Sequence, residues 1–294
     1  MGRDSRQQRR EQRVQQKRLH KLERKEQQLL EPREPSLAAR KVSELTEPVR
    51  EKLKEKLPSK AADAAAQSME KSAELLERAF EKSFDLVLEK GSGLIGRMCG
   101  EKKKLERYEA FAQKPLSGWE LTRLGCEAAM GASANMVFSS VQGGAMGALG
   151  IGLPDVPIFL GAVFKTLFEI SLRFGFPYHL PQEQVYQMLL ICAAVGEEHE
   201  RRRAVADADQ IAQEIQMGAV LTIDREEAKR RAAHALCSAA LTGKLVQGTP
   251  IIGVYGGFRN GVLLRQIGSM AALKYQQRLL RERQPSNPFD KRTM

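Results

Sequence analysis

The feature that most constrains this chain is a long central segment without charge. Residues 128–154 contain no charged side chain, and a segment of this length raises the question of a transmembrane helix. Asn135 and Gln142 dilute its hydrophobicity, however, and glycine and proline interrupt it at residues 150–155. We therefore predict two buried helices joined by a tight turn at residues 150–155, with the second helix over residues 156–174.

Most of the remaining chain shows apolar residues at the three- and four-residue spacings that are typical of amphipathic helices. Because no run of alternating apolar and polar residues indicates a strand, we predict an all-α fold. Gly91-Ser92-Gly93 is expected to end a helix that begins near Ala61. Further helices are predicted over residues 181–200, 204–215, 224–241 and 250–283, and Asp224 is expected to cap the third of them.

The net charge of +11 resides in the two ends of the chain. Residues 1–35 contain eleven Lys or Arg and six Asp or Glu, and residues 259–294 contain eight and two. Five apolar residues before Pro32 are too few to offset the entropy of ordering, which predicts a disordered or loosely helical arm. Such basic ends are attracted to phosphate, whether in an anionic lipid surface or in nucleic acid.

The predicted organisation is therefore a basic arm followed by a single multi-helix domain. We place the arm at residues 1–35, the helical domain at residues 36–284 and a flexible tail at residues 285–294.

The first residues are crowded with charge and lack the apolar core of a secretory signal, and the four cysteines are far apart. Both observations favour a reducing, cytoplasmic setting.

Two rows of small residues predict a tightly packed, glycine-rich helix pair. Gly143 and Gly147 form one row, with Gly144 beside it, and Gly253 and Gly257 begin a second row that continues to Gly261. Each glycine inside a helix costs about 1 kcal/mol relative to alanine, so these rows require a reason. Close packing of two helices in a protein core is one explanation, and association within or against a membrane is the other.

Polar candidates are few in the central region. Asp155 stands between two prolines, where its carboxylate could cap the following helix or act as a buried acid for a ligand. Lys165, Glu169 and Arg173 follow at successive four-residue spacings and form one narrow stripe on an apolar helix. Asp155 and Glu169 would be separated by roughly 20 Å of helix, so they cannot act together on one bond.

The motifs of common enzyme and metal sites are absent from the sequence. Residues 197–200, Glu-Glu-His-Glu, lack the spacing of a zinc site, and three arginines follow them directly. No phosphate-binding loop and no nucleophile elbow are present. The sequence thus predicts no metal and no cofactor, and it indicates no reaction.

Three blocks of sequence resemble the EcsC family. The first runs from residues 142–147 into residues 152–157, a glycine-rich run ahead of an aspartate–proline turn. The second is residues 168–176, a helix that ends in Phe-Gly-Phe, and the third, residues 250–260, is a proline–apolar–glycine helix. Lys165 and Tyr178 depart from the family pattern, since we expect an arginine at the first position and an acidic residue near the second.

This resemblance implies a bacterial protein with a helical fold, in a cytoplasmic or membrane-peripheral setting. The family is named for a gene next to an ABC transporter that is linked to secretion, and its activity is largely undefined. We therefore expect a non-enzymatic accessory or regulatory factor at the cytoplasmic membrane face, with an anionic lipid surface and a membrane protein as partners. The alternatives are a small-ligand binder or hydrolytic enzyme that uses Asp155 with the Lys165–Glu169–Arg173 stripe, and a nucleic-acid-binding protein. The candidate ligand or structural residues are Gly143, Gly144, Gly147, Asp155, Lys165, Glu169, Arg173, Gly253, Gly257, Arg259 and Asn260.

Overall fold

A computed structural model describes residues 2–31, 59–100, 106, 155–245 and 254–283 of the chain. Most of these residues are helical and none of them lies in a strand, which confirms the predicted all-α class. A π-helical turn, Leu86–Gly91, lies between the second and third α-helices. The α-helices are α1 (Gly2–Leu30), α2 (Ser59–Asp85), α3 (Ser92–Met98), α4 (Asp155–Arg173), α5 (Pro181–Val195), α6 (Glu198–Met217), α7 (Arg225–Leu245) and α8 (Val254–Glu282).

Helix α5 is the centre of the bundle. Every residue from Glu183 to Ala194 is buried, and α6, α7 and α8 all pack against this helix. Pro181 at the first turn has no amide hydrogen to leave unpaired, so it suits the start of a buried helix. A second layer consists of α4, which contacts α8, α2 and α3. A helix that is buried on all sides needs no polar face, which explains the apolar run of residues 188–195 in the second half of α5.

Local sequence signals fix several helix ends. The Asp224 carboxylate accepts a hydrogen bond from the Glu227 amide at 2.7 Å, as the predicted cap of α7. Helix α6 ends at Gly218, which has a φ of +64°. There the amides of Gly218 and Ala219 donate to the carbonyls of Ile215 and Glu214.

The predicted end of a helix at residues 91–93 is wrong. The helical backbone continues from α2 through the π turn into α3 and ends at Gly100, which has a φ of +64°. The π turn accommodates one extra residue per turn, so glycines near 91–93 lie inside a continuous rod. Phe84 and Val87, on either side of the junction, are buried in the core.

Aromatic side chains connect α2, α4 and the loop after α4. The rings of Phe84 and Phe164 meet edge to face at 5.6 Å, and Phe168 lies 5.6 Å from Phe164. Phe168 in turn lies against Tyr178, with 4.4 Å between ring centroids. This chain of rings packs α4 against α2 and against the loop that follows α4.

Among the described residues, none of the helices combines the length and the apolar character needed to cross a membrane. The predicted turn at residues 150–155 lies outside the described part of the chain except at Asp155, where α4 begins. The predicted second helix of that pair, residues 156–174, agrees closely with α4.

Candidate functional site

Helix α1 has one face of exposed basic side chains. Arg13, Lys17, Lys21 and Arg24 recur at three- and four-residue spacings and are all exposed, as is Lys25 beside them. We call these five residues the basic face. In the sequence the same spacing continues upstream through Arg10, Arg6 and Arg3. Cations on one side of a helix produce a concentrated positive potential, the feature that attracts phosphate-rich surfaces.

The opposite face of α1 packs on the bundle. Leu22 and Leu30 are buried members of the hydrophobic core, with Leu19 and Leu29 partly buried against it. Leu19 and Leu22 are three residues apart, and Leu29 and Leu30 follow Leu22 two helical turns later, so one helix presents a basic side and an apolar side. The sequence predicts a disordered or loosely helical arm over residues 1–35; in the structure Gly2–Leu30 form a helix whose second half packs on the core. The sequence boundary of the domain at residue 36 remains a prediction.

Polar contacts reinforce the docking of α1. Lys274 of α8 is fully buried, and its ammonium contacts the Glu26 carboxylate at 3.1 Å and the Asp209 carboxylate at 2.7 Å. Arg201 of α6 donates hydrogen bonds to the Leu29 carbonyl and to the Ala193 carbonyl. Lys274 therefore holds α1, α6 and α8 together at one point.

A buried ionic cluster joins α5 to α8. Glu183 is 1% exposed, and its carboxylate accepts bonds from Arg278 at 2.9 and 3.1 Å and from the Tyr275 hydroxyl at 2.7 Å. The Arg278 guanidinium also lies 4.2 Å from the Phe176 ring centroid and 5.2 Å from that of Tyr186. Planar guanidinium groups suit this combination of carboxylate pairing and ring stacking.

Burial has opposite consequences for the two charges in this cluster. Desolvation raises the pKa of Glu183, although Arg278 and the Tyr275 hydroxyl act to lower it. Desolvation alone would lower the pKa of Arg278, but the Glu183 charge raises it, so the guanidinium stays protonated. Because Glu183 is enclosed, it cannot reach a substrate unless α5 and α8 separate. The cluster therefore has a structural role.

The predicted stripe on α4 forms contacts within the protein. Lys165 and Glu169 pair with each other at 2.9 Å and are 23% and 15% exposed. The Lys165 carbonyl accepts a bond from the Cys99 thiol of the α3 terminus at 3.7 Å. Arg173 occupies the last turn of α4. The structure thus confirms that the stripe shares one helix, while its role in ligand binding remains a prediction.

Other predicted residues fall at the edge of the described structure or outside it. Asp155 begins α4, and Gly257, Arg259 and Asn260 lie in the first turns of α8, with only their backbone described. The close packing of the two glycine rows against each other lies outside the described residues. Also outside them are Gly143, Gly144, Gly147 and Gly253.

The acidic run near His199 is solvent-exposed at the start of α6, whereas the sequence places it at the end of a helix over residues 181–200; that helix ends at Val195. Glu198 and His199 are exposed, and His199 lines a shallow cleft together with Arg203, Glu227 and Arg231. Within the described ranges, no group of three His, Cys, Asp or Glu side chains is placed to hold a metal ion. Two arginines in the cleft wall also oppose cation binding.

Comparison with known families decides the relationship of the chain. The sequence profile of the EcsC protein family matches residues 16–280. The chain belongs to the EcsC family. The match begins inside α1 and ends inside α8, so it includes Glu26, Asp209 and Lys274, which join α1, α6 and α8. No curated protein and no solved structure matches the chain.

Membership of the EcsC family accounts for the three sequence blocks but assigns no reaction. Sequence reasoning missed Glu183, Lys274 and Arg278 because an isolated charge on a helix usually faces solvent. One signal was present: Lys274, Arg278 and Arg281 are spaced by four and three in a segment otherwise rich in buried apolar residues. In α8, Lys274 and Arg278 have their partners on α1, α5 and α6.

Proposed function

We propose that this EcsC protein is a non-enzymatic accessory factor that binds the anionic cytoplasmic face of a membrane through the basic face of α1. The observation that carries the proposal is that a single helix is fixed to the core on one side and exposes a row of cations on the other. A tether of this kind would hold the whole bundle at the lipid surface. Transport or secretion machinery beside the membrane is then the partner that the family resemblance suggests.

The exposure of the basic face supports α1 as the source of the proposed attraction. Lys274 and Arg278 contribute to the excess charge of the C-terminal region, but both are buried in ion pairs. Residues of the basic face, by contrast, are exposed to solvent. A buried, paired cation cannot neutralise a lipid headgroup, so the C-terminal part of the positive excess is only partly available at the surface.

The expected affinity is modest. Each Lys or Arg near an anionic leaflet contributes about 1 kcal/mol, so five exposed cations contribute ~5 kcal/mol at most. This energy corresponds to a dissociation constant on the order of 0.1 to 1 mM, which is reversible peripheral binding. Because the attraction is screened over about 10 Å at 0.1 M salt, it should weaken steeply as ionic strength rises.

Co-sedimentation with lipid vesicles tests the proposal. We expect the full-length protein to bind phosphatidylcholine vesicles that contain phosphatidylglycerol, at low salt, and to bind pure phosphatidylcholine vesicles far less. The triple variant Lys17→Glu, Lys21→Glu, Arg24→Glu should lose this binding, because it replaces attraction with repulsion.

A matched control separates the basic face from net charge. The triple variant Lys71→Glu, Lys82→Glu, Arg97→Glu changes the same charge at exposed positions on α2 and α3. It should retain most of the vesicle binding. Equal loss in both variants, or no binding of the wild-type protein at low salt, would refute the proposal. Tighter binding to duplex DNA than to the vesicles, abolished by the α1 variant, would favour the nucleic-acid alternative.

A further inference from the structure

The turn between α6 and α7 is held rigidly by its own polar groups. The Glu214 carboxylate accepts bonds from the Thr222 amide at 2.9 Å and from the Gln210 side-chain amide at 3.0 Å. The same Gln210 amide also contacts the Thr222 hydroxyl at 3.1 Å. Asp224 then caps α7, and Gly218 supplies the left-handed residue that ends α6. The backbone of the turn is thus fixed before any partner binds.

This rigid turn exposes apolar side chains. Met217 is 72% exposed and Val220 is 93% exposed, and the nine residues 215–223 carry no charge. Single exposed apolar residues are common on protein surfaces. Met217 and Val220 lie within four residues of each other on a turn that hydrogen bonds hold fixed, and no charge lies between them. Together they form a small exposed apolar surface that a partner could cover. We call Met217 and Val220 the apolar tip.

The apolar tip lies at the end of the bundle toward which α1 directs its N-terminus. Near the start of α6, Arg201 contacts the Leu29 carbonyl, and further along α6, Asp209 shares Lys274 with Glu26. Helices α1 and α6 are therefore antiparallel. From Asp209, α6 continues for eight residues, or ~12 Å of helix, to Met217, and from Glu26 α1 continues towards the same end through Lys17 to Arg13.

Leu180 extends the apolar character of this end. Arg201 near the start of α6 contacts the Ala193 carbonyl near the end of α5, so α5 begins where α6 ends. Leu180, immediately before α5, is 40% exposed. One end of the bundle therefore combines exposed apolar side chains with cations of α1. Interfacial membrane elements have this combination, because apolar groups enter the acyl boundary while cations remain at the headgroups.

We infer that the apolar tip inserts into the bilayer surface when the basic face binds anionic headgroups. This inference rests on the proposed membrane function and adds the place where the bundle enters the lipid. The occupant that we assign to the tip is a lipid bilayer. The neighbouring cations complement anionic headgroups, and a tip of this size is far smaller than a stable protein interface.

Vesicle binding of the full-length variant Met217→Ser, Val220→Ser tests the inference. Loss of two inserted side chains should weaken partitioning by about tenfold. The loss should persist at higher salt, because burial of apolar area is not screened. The matched control is Leu75→Ser on α2, which is 59% exposed and should bind vesicles as the wild-type protein does. All of these side chains are exposed, so the thermal midpoints of the variants should equal that of the wild type.

Fluorescence locates the tip directly. In Val220→Trp the added indole should be quenched by brominated lipids and shifted to the blue on vesicle binding. In Leu75→Trp it should not, and the native Trp119 is present in both variants as a common background. The tip inference is overturned if the serine variant partitions normally and the indole of Val220→Trp is not quenched. If the charge-reversal variant of the basic face still loses vesicle binding in that case, the membrane function stands. Absence of wild-type binding overturns both. A change from dimer to monomer in the serine variant would overturn the lipid assignment and give the tip to a second copy of the chain instead.

Discussion

A clear energetic prediction concerns Gly96 in α3, where Tyr178 comes into direct contact with the helix. A Cβ atom at position 96 would lie 1.8 Å from the Tyr178 hydroxyl oxygen and 2.6 Å from Cζ. Ordinary contact begins at 3.4 Å, so the ring would have to retreat by about 1.6 Å. Tyr178 is 5% exposed and lies against Phe168, and a stiff aromatic ring in this position cannot move that far freely.

The magnitude of the Gly96→Ala effect follows from two opposing contributions. Overpacking a core position costs about 1–3 kcal/mol, and the short distances place this site near the upper value. Replacing a helical glycine with alanine returns up to ~1 kcal/mol. We therefore expect a net loss of about 2 kcal/mol in the free energy of unfolding, which would lower the melting temperature by roughly 4–8 °C.

Gly93 provides a matched control in the same helix. A Cβ atom at Gly93 meets nothing within 4 Å, so Gly93→Ala should be neutral or stabilising by up to about 1 kcal/mol. Urea unfolding followed by far-ultraviolet circular dichroism measures both variants. In a Tyr178→Ala background the cost of Gly96→Ala should disappear. Equal stability of Gly96→Ala and Gly93→Ala, or an undiminished cost in that background, would refute the reasoning.

Two further predictions concern buried carboxylates. Arg278→Met should destabilise the protein by about 3–5 kcal/mol at neutral pH because it leaves Glu183 buried without a cation, whereas Glu183→Leu with Arg278→Met should recover most of the loss. Burial raises the pKa of Glu183, so the stability that its protonated form provides is present at low pH and lost as pH rises above 4.5. The loss of unfolding free energy in Arg278→Met should therefore be larger at alkaline than at acidic pH. A loss that is independent of pH would contradict this assignment. Desolvation acts to raise the pKa of Glu214, but the hydrogen bonds from Thr222 and Gln210 lower it. The stability that the ionised Glu214 carboxylate contributes is therefore present above pH 4.5 and lost as pH falls below that value. The stability advantage of the wild type over Glu214→Gln should therefore shrink in acid, and an advantage that persists unchanged there would show that the ionised carboxylate does not hold the turn.

The helical class and several helix ends could be predicted from the sequence because they depend on local chemistry. The cap at Asp224 and the proline at the start of α5 act within one turn of their own positions. The stripe of Lys165 and Glu169 is likewise a consequence of four-residue spacing on a single helix. The family relationship also follows from short ordered blocks and is confirmed over residues 16–280.

The predicted helix end at residues 91–93 failed for a physical reason. Glycine weakens a helix by only about 1 kcal/mol per residue, and burial of apolar side chains around it can exceed that cost. Phe84, Val87 and Ile95 are buried along α2, the π turn and α3, and they support one continuous rod. Local propensity could not reveal this packing, since its partners lie elsewhere in the chain.

Local patterns in the chain thus indicate most of the helices, the regions where charge is concentrated and the family relationship. Whether an individual charge is buried or exposed depends on the tertiary packing. Lys274 and Arg278 are buried against Glu26 and Glu183, which lie 248 and 95 residues away in the sequence, whereas Lys17 of α1 is exposed. Lysine and arginine side chains are buried at some positions and exposed at others because a charge can be buried only where a distant helix provides the opposite charge.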